Sequence, residues 1–270
     1  MSADEQPIPT LRDWFADGVD PAAYDPIRAA RGAMKSTLPK RFYVEATLGE
    51  VEGLATVLLD GRPARTKGRA LLGHRNPTLI ARLVEEWAAQ GAEINPATMP
   101  HTRIVHAAID HVATNHEAVR DDFLRYAGTD LVCYRADDPA ALVERQCRMW
   151  DPVLAHIRAQ YGADFAVTSG IVHVSQPEAA IAALKPAVAE FRDPVPLAAL
   201  HVMTSVAGSA LIALTVADGI MDAEAGFDAG ECDADYEIAI WGSDEEAMER
   251  RITRLAEFSA AAALCRLARG

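Results

Sequence analysis

The spacing of apolar and polar positions changes twice along the chain and divides it into three parts. Residues 1–38 hold Pro7, Pro9, Pro21 and Pro26 and show no sustained period, which predicts an irregular arm with a short turn at Trp14-Phe15 docking on the body. Residues 39–100 read as a small β-rich domain. Arg41–Thr47 is aromatic and β-branched, Leu54–Leu59 is a second strand, and Asp60-Gly61 turns the chain into a third over Arg62–Thr66, with a short fourth at Leu71-Leu72. Asn76-Pro77 supplies an N-cap and a proline at the first helical position. The helix that follows carries Leu79, Ile80, Leu83, Val84 and Trp87 on one stripe, Glu85 and Glu86 on the wetter side, and Gly91 as its stop.

From residue 101 to 270 the period is helical. Ile104, Val105, Ala108, Ile109 and Val112 form one stripe; Val119, Phe123 and Tyr126 form the next. A helix is expected from Pro139 to Trp150, with Asp151-Pro152 interrupting it and Asp151 capping a new one. Phe165–Val174 suggests a hairpin about Ser169-Gly170, and Ser175–Glu178 opens a helix that Pro186 kinks or divides. Val195–Ala217 has no charged residue. It is long enough to span a bilayer, but Pro196, His201, Thr204, Ser205, Ser209 and Thr215 and the acidic flanks Asp193 and Asp218 favour a single helix buried in a bundle. Asp222–Ile240 reads as one helix. Ser243 and Glu246 form a capping box for the last helix, whose core face is Met248, Ile252, Leu255, Phe258, Ala262 and Cys265. The fold class is therefore α+β: a small antiparallel sheet with a helix, then an orthogonal helical bundle.

Charge narrows the partners. The 270 residues carry a formal net charge of -13, which disfavours nucleic acid and anionic membranes. Cys133, Cys147, Cys232 and Cys265 are far apart and never in C-x-x-C, so neither a disulfide framework nor a zinc site is expected. The acidic N-terminus is unlike a transit peptide, and a bacterial cytoplasm is the expected compartment.

Catalytic signals are sparse. His101, His106, His111 and His116 recur every five residues, a step that rotates a helical side chain by roughly 140° and scatters ligands. His106 and Asp110 do have a metal-pair spacing, so a metal-dependent or carboxylate-based hydrolase is the alternative reading. No phosphate loop, dinucleotide fingerprint or nucleophile elbow is present. No cofactor is expected.

Several segments in order resemble the family of ATP synthase assembly factors that chaperone the α subunit of the catalytic head. They are RFY at 41–43, LLDGRPARTKGRALL at 58–72, EEW at 85–87, EINPATMPHTRIVHAAID at 93–110, YAGTDLVCYRA at 126–136, WDP at 150–152, GIVHVSQP at 170–177, LHVMTSVAGSALIAL at 200–214 and DYEIAIWG at 235–242. The likeness implies a non-enzymatic chaperone that binds the unassembled α subunit and has an important acidic residue near its C-terminus. Asp235, Glu237, Glu245 and Glu249 are the options, Glu237 first, with Trp241 beside them. Trp87, Asp110, Asp130, Tyr134, Arg135, Trp150, Asp151 and Pro152 are the motif residues, and Asp130, Tyr134 and Arg135 could share a buried polar network. The oligomeric state stays open, with a monomer expected.

Overall fold

The computed structural model describes residues 38–170 and 173–269. The expected turn at Trp14-Phe15 lies outside them. Two compact units divide the chain: residues up to 65 with 71–103, and residues 66–70 with 104 onward.

In the first unit, β1 (Ala46–Val51) pairs antiparallel with β2 (Leu54–Leu59), in register from Ala46 opposite Leu59 to Val51 opposite Leu54. β3 (Arg62–Pro63) and β4 (Gly73–His74) both pair along the other edge of β2. The first strand starts at Ala46 rather than Arg41 for a local reason. The Arg41 guanidinium gathers the carbonyls of Tyr43, Val44 and Gln90, and the Asp60 carboxylate accepts from Val44 N and Glu45 N. Those groups are thus withdrawn from a ladder, and Phe42 and Val44 are left exposed. Helix α1 (Pro77–Ala88) is capped by Asn76, as expected, and lays Leu79, Ile80 and Leu83 on the sheet.

Glu86 overturns its expected wet position: it is buried, and its carboxylate accepts from His101 N and Thr102 N. It thereby caps the first turn of α2 (Pro100–Asp110), where a negative charge also meets the positive end of the helix dipole.

The second unit is built around α6 and α7. Before them come α3 (His116–Ala127), the strand pair β5 (Tyr134–Arg135) and β6 (Thr168–Ser169), α4 (Ala140–Tyr161) and α5 (Glu178–Ala189). The expected hairpin at Ser169-Gly170 does not form; β6 pairs in parallel with β5 instead. Pro152 does not end α4, nor does Pro186 divide α5. Proline removes one backbone donor from α4. Tertiary burial offsets that loss: Trp150, Val153 and Ile157 are fully buried, and the Trp150 indole donates to Ala229 O at 2.8 Å.

The long uncharged stretch is two helices, α6 (Pro194–Ala207) and α7 (Ala210–Ala217). Gly208 ends the first in the left-handed conformation (φ 66°), where a side chain would be strained, and Ser209 caps the second through Ile212 N. The junction is fastened by Asp130, which is fully buried and accepts from Ser209 Oγ at 2.6 Å and Leu211 N at 3.0 Å. Burial pushes the Asp130 carboxyl up to about 6, although those hydrogen bonds pull the other way. Asp122 and His201 form a second buried pair at 2.8 Å. Burial alone would raise Asp122, but hydrogen bonds from His201 and Arg125 outweigh it and hold the carboxyl below its ordinary value.

Asp222–Ile240 also divides, into α8 (Ala223–Gly230) and α9 (Cys232–Trp241), and α10 (Glu245–Arg269) closes the chain. Its first turn is capped by Asp244, which accepts from Ala247 N at 2.6 Å, and not by Ser243. No helix among the described residues is long and apolar enough to cross a membrane.

Candidate functional site

The turn from α9 into α10 leaves an apolar stripe uncovered. Cys232 is buried at the start of α9, but by its end Ile240 is 52% and Trp241 84% exposed. Gly242 then turns the chain, and α10 begins with Met248 at 42% and Ile252 at 64% exposure. Three residues beyond Ile252, Leu255 is half-buried, and Phe258 on the same stripe is fully buried. The expected core face of α10 is therefore core only in its second half, where the helix lies along α6 and α7. Met248 and Ile252 are corrected from core to surface. Periodicity identified the stripe but could not say where its cover ends.

Charge on this surface is sorted. Arg250 pairs with Glu246, and Arg254 pairs with Glu231. Arg251 donates to both oxygens of Asp235 at 2.9 Å and to Asp228 at 2.8 Å, so it ties α10 to α8 and α9. The Asp235 hydrogen bond, the largest influence, raises the Arg251 guanidinium above its ordinary value. Each of these arginines is thus neutralised by a local acid. The carboxylates of Glu237, Glu245 and Glu249 are exposed and have no partner among the described residues. Glu237 and Trp241 share a face of α9 at i,i+4 spacing, as do Glu245 and Glu249 on α10. Of the acidic candidates, Asp235 alone is committed to internal ion pairs. The surface can bind; it presents large apolar side chains among uncompensated negative charges.

The motif residues lie elsewhere and work structurally. Trp87 is half-buried, against the Tyr43 ring at 5.6 Å, and its carbonyl accepts the Tyr43 hydroxyl at 2.6 Å. Asp110 accepts from the Thr66 hydroxyl at 2.5 Å and Gly68 N at 3.0 Å, both within the second unit. No hydrogen bond joins it to His106, whose ring is lowered from its ordinary value chiefly by burial. No group of three His, Cys, Asp or Glu side chains among the described residues could hold a metal ion. Asp130, Tyr134 and Arg135 do not form one network. Asp130 fastens α7, the Tyr134 hydroxyl meets His173 Nδ1 at 3.2 Å, and Arg135 donates to Val132 O, pairs with Asp151 at 2.9 Å and stacks over Trp150.

A family model described as ATP12 chaperone protein matches residues 40–158. A solved structure of a chaperone candidate from Agrobacterium tumefaciens is 43% identical, with a TM-score of 0.81 over 91% of this chain and 92% of that one. Atp12 from Paracoccus denitrificans is 35% identical, with a TM-score of 0.77 over 85% of this chain and 98% of that one. An aspartate-to-lysine mutant of P. denitrificans Atp12p matches at 34% identity and the same TM-score of 0.77, over 85% of this chain and 98% of that one.

Proposed function

The chain belongs to the ATP12 chaperone family, and from that premise we propose that it assists assembly of the ATP synthase catalytic head by binding the unassembled α subunit. The observation that carries the reading is the exposed stripe of Ile240, Trp241, Met248 and Ile252 beside Glu237, Glu245 and Glu249, which have no partner among the described residues. A subunit of an alternating ring exposes, before assembly, the surface meant for its neighbour, and such surface self-associates when left free. Covering it takes an apolar surface of matching character, held on a rigid frame and free to be exchanged later. Helices α9 and α10 provide this, with Arg251 fixing the angle between them and Phe258 anchoring α10 in the core.

The task requires no bond to be made or broken, and the reading is non-enzymatic. A partner surface with apolar residues among basic ones complements the patch. Co-purification with separately expressed α and β subunits tests the assignment. A complex with α and none with β is expected; a complex with β alone would overturn it.

A further inference from the structure

The sheet of the first unit ends on β1. Its one side is taken by β2, and among the described residues no strand pairs along the other. The register says which backbone groups that edge offers. Asp60 N donates to Glu45 O at 3.0 Å, and Val51 stands opposite Leu54 across a two-residue turn, Glu52-Gly53, with φ of 54° and 76°. In an antiparallel ladder the bonded pairs alternate. Glu45, Thr47, Gly49 and Val51 therefore direct their backbone groups to β2, and Ala46, Leu48 and Glu50 direct theirs outward. The edge is not blunted in the usual ways: β1 reads ATLGEV, without proline or lysine, and its register runs from Ala46 to Val51 without a bulge. Leu48 shows what is missing. It stands opposite the fully buried Val57 and so belongs to the core side of the sheet, yet it is 45% exposed. The charge along the edge has one sign. Glu45, Glu50 and Glu52 are exposed and have no partner among the described residues.

We propose that β1 takes up an extended, basic segment of a partner polypeptide as an added antiparallel strand. The outward N–H and C=O groups of Ala46, Leu48 and Glu50 supply the ladder, an apolar residue opposite Leu48 completes its cover, and lysine or arginine opposite Glu50 and Glu45 pairs with the carboxylates. The same acids exclude the nearest competitor, a second copy of β1. Antiparallel self-pairing about Leu48 would bring Glu45, Glu50 and Glu52 of both copies onto one short ladder with no cation between them. Charge complementarity thus selects a basic strand over an acidic one and over the chain itself. The edge belongs to the first unit and uses none of the residues on α9 and α10, so it stands whether or not the α subunit is the client.

The test is an NMR titration of the ¹⁵N-labelled full chain with acetyl-KTKTVTTKS-amide, whose valine falls opposite Leu48 and whose lysines fall opposite Glu52, Glu50 and Glu45. The expected result is a saturable shift of the Ala46, Leu48 and Glu50 amide peaks, with Thr47, Gly49 and Val51 moving little. N-methylation of the valine deletes a donor that faces β1 and should abolish binding; N-methylation of the threonine after it faces away and should not. Glutamate in place of the three lysines should abolish binding too. The double variant Glu45→Lys, Glu50→Lys changes exposed side chains only and should weaken the lysine peptide by about five- to tenfold, with the amide peaks outside β1 unmoved. No shift at millimolar peptide, equal binding of the two N-methylated peptides, or equal binding of the lysine and glutamate peptides would each overturn the proposal. So would a concentration-dependent shift of the same three peaks without peptide, which would give the edge to a second copy.

Discussion

Trp241→Ala is expected to weaken capture of the α subunit strongly while leaving folding stability unchanged. The side chain is 84% exposed, so the folded chain gains little from it. Its truncation should move the unfolding free energy by no more than about 0.5 kcal/mol, as for other surface positions. A partner that covers the ring removes most of its roughly 150–250 Å² from water. At ~25 cal/mol per Å² that sets a ceiling near ~6 kcal/mol. Binding costs reduce this to the ~2–4 kcal/mol of an interface hot spot, or about 30- to 1,000-fold in Kd. Biolayer interferometry on purified α subunit and urea unfolding of the same preparations supply both numbers. Affinity within about twofold of the parent, with unfolding unchanged, would refute the placement of the contact surface on α9 and α10.

Glu237→Lys should likewise reduce α-subunit affinity without shifting the melt, and the loss should shrink in high salt as screening grows; an unfolded variant would remove Glu237 from the contact argument. Arg251→Ala leaves the half-buried Asp235 with only Arg145 among the described residues, at 3.7 Å, and should cost about 2 kcal/mol. A double-mutant cycle with Asp235→Ala should show coupling above about 1 kcal/mol, and additivity would deny the tie. The Asp130 carboxyl is raised to about 6 in the fold, so its neutral form is the one folding favours. The stability of the parent relative to Asp130→Asn should therefore be highest below pH ~4 and decline by up to about 3 kcal/mol through pH ~6; a difference independent of pH would contradict this. Gly230→Ala should destabilise by about 1–3 kcal/mol in a thermal melt, because the added Cβ falls 2.8 Å from Ala207 Cα and 3.0 Å from Ala207 O, backbone that cannot yield. Gly91→Ala, whose Cβ meets nothing within 4 Å, is the neutral control.

Local chemistry was legible in the sequence where it acts alone. Asn76-Pro77 starts α1, and Leu54–Leu59 with its Asp60-Gly61 turn forms a strand and hairpin at the expected positions. Legibility ended where a distant partner decides. Glu86 looks solvated by its charge, yet it caps α2, which begins 14 residues later. Pro152 looks like a stop, yet the burial of Trp150 carries α4 through it. The break at Gly208 could have been read, since a glycine followed by serine is an end signal next to a start signal; the uninterrupted apolar run around it hid both. The candidate surface was half legible. Its exposed acids and Trp241 follow from the resemblance, but Met248 and Ile252 look the same as Phe258 in sequence and differ only in what lies above them.

The self-cancellation of Arg250, Arg251 and Arg254 has a kinetic consequence. Because these cations are neutralised within the chain, the field that an approaching basic surface meets is that of the remaining glutamates. Long-range charge governs how fast partners meet, whereas close apolar contact governs how long they stay together. On the proposed contact surface the two fall to different side chains: Glu237, Glu245 and Glu249 are expected to set the rate of arrival, and Trp241 and Ile252 the residence time. Ionic strength should then change how quickly a client is caught and leave almost untouched how slowly it is let go.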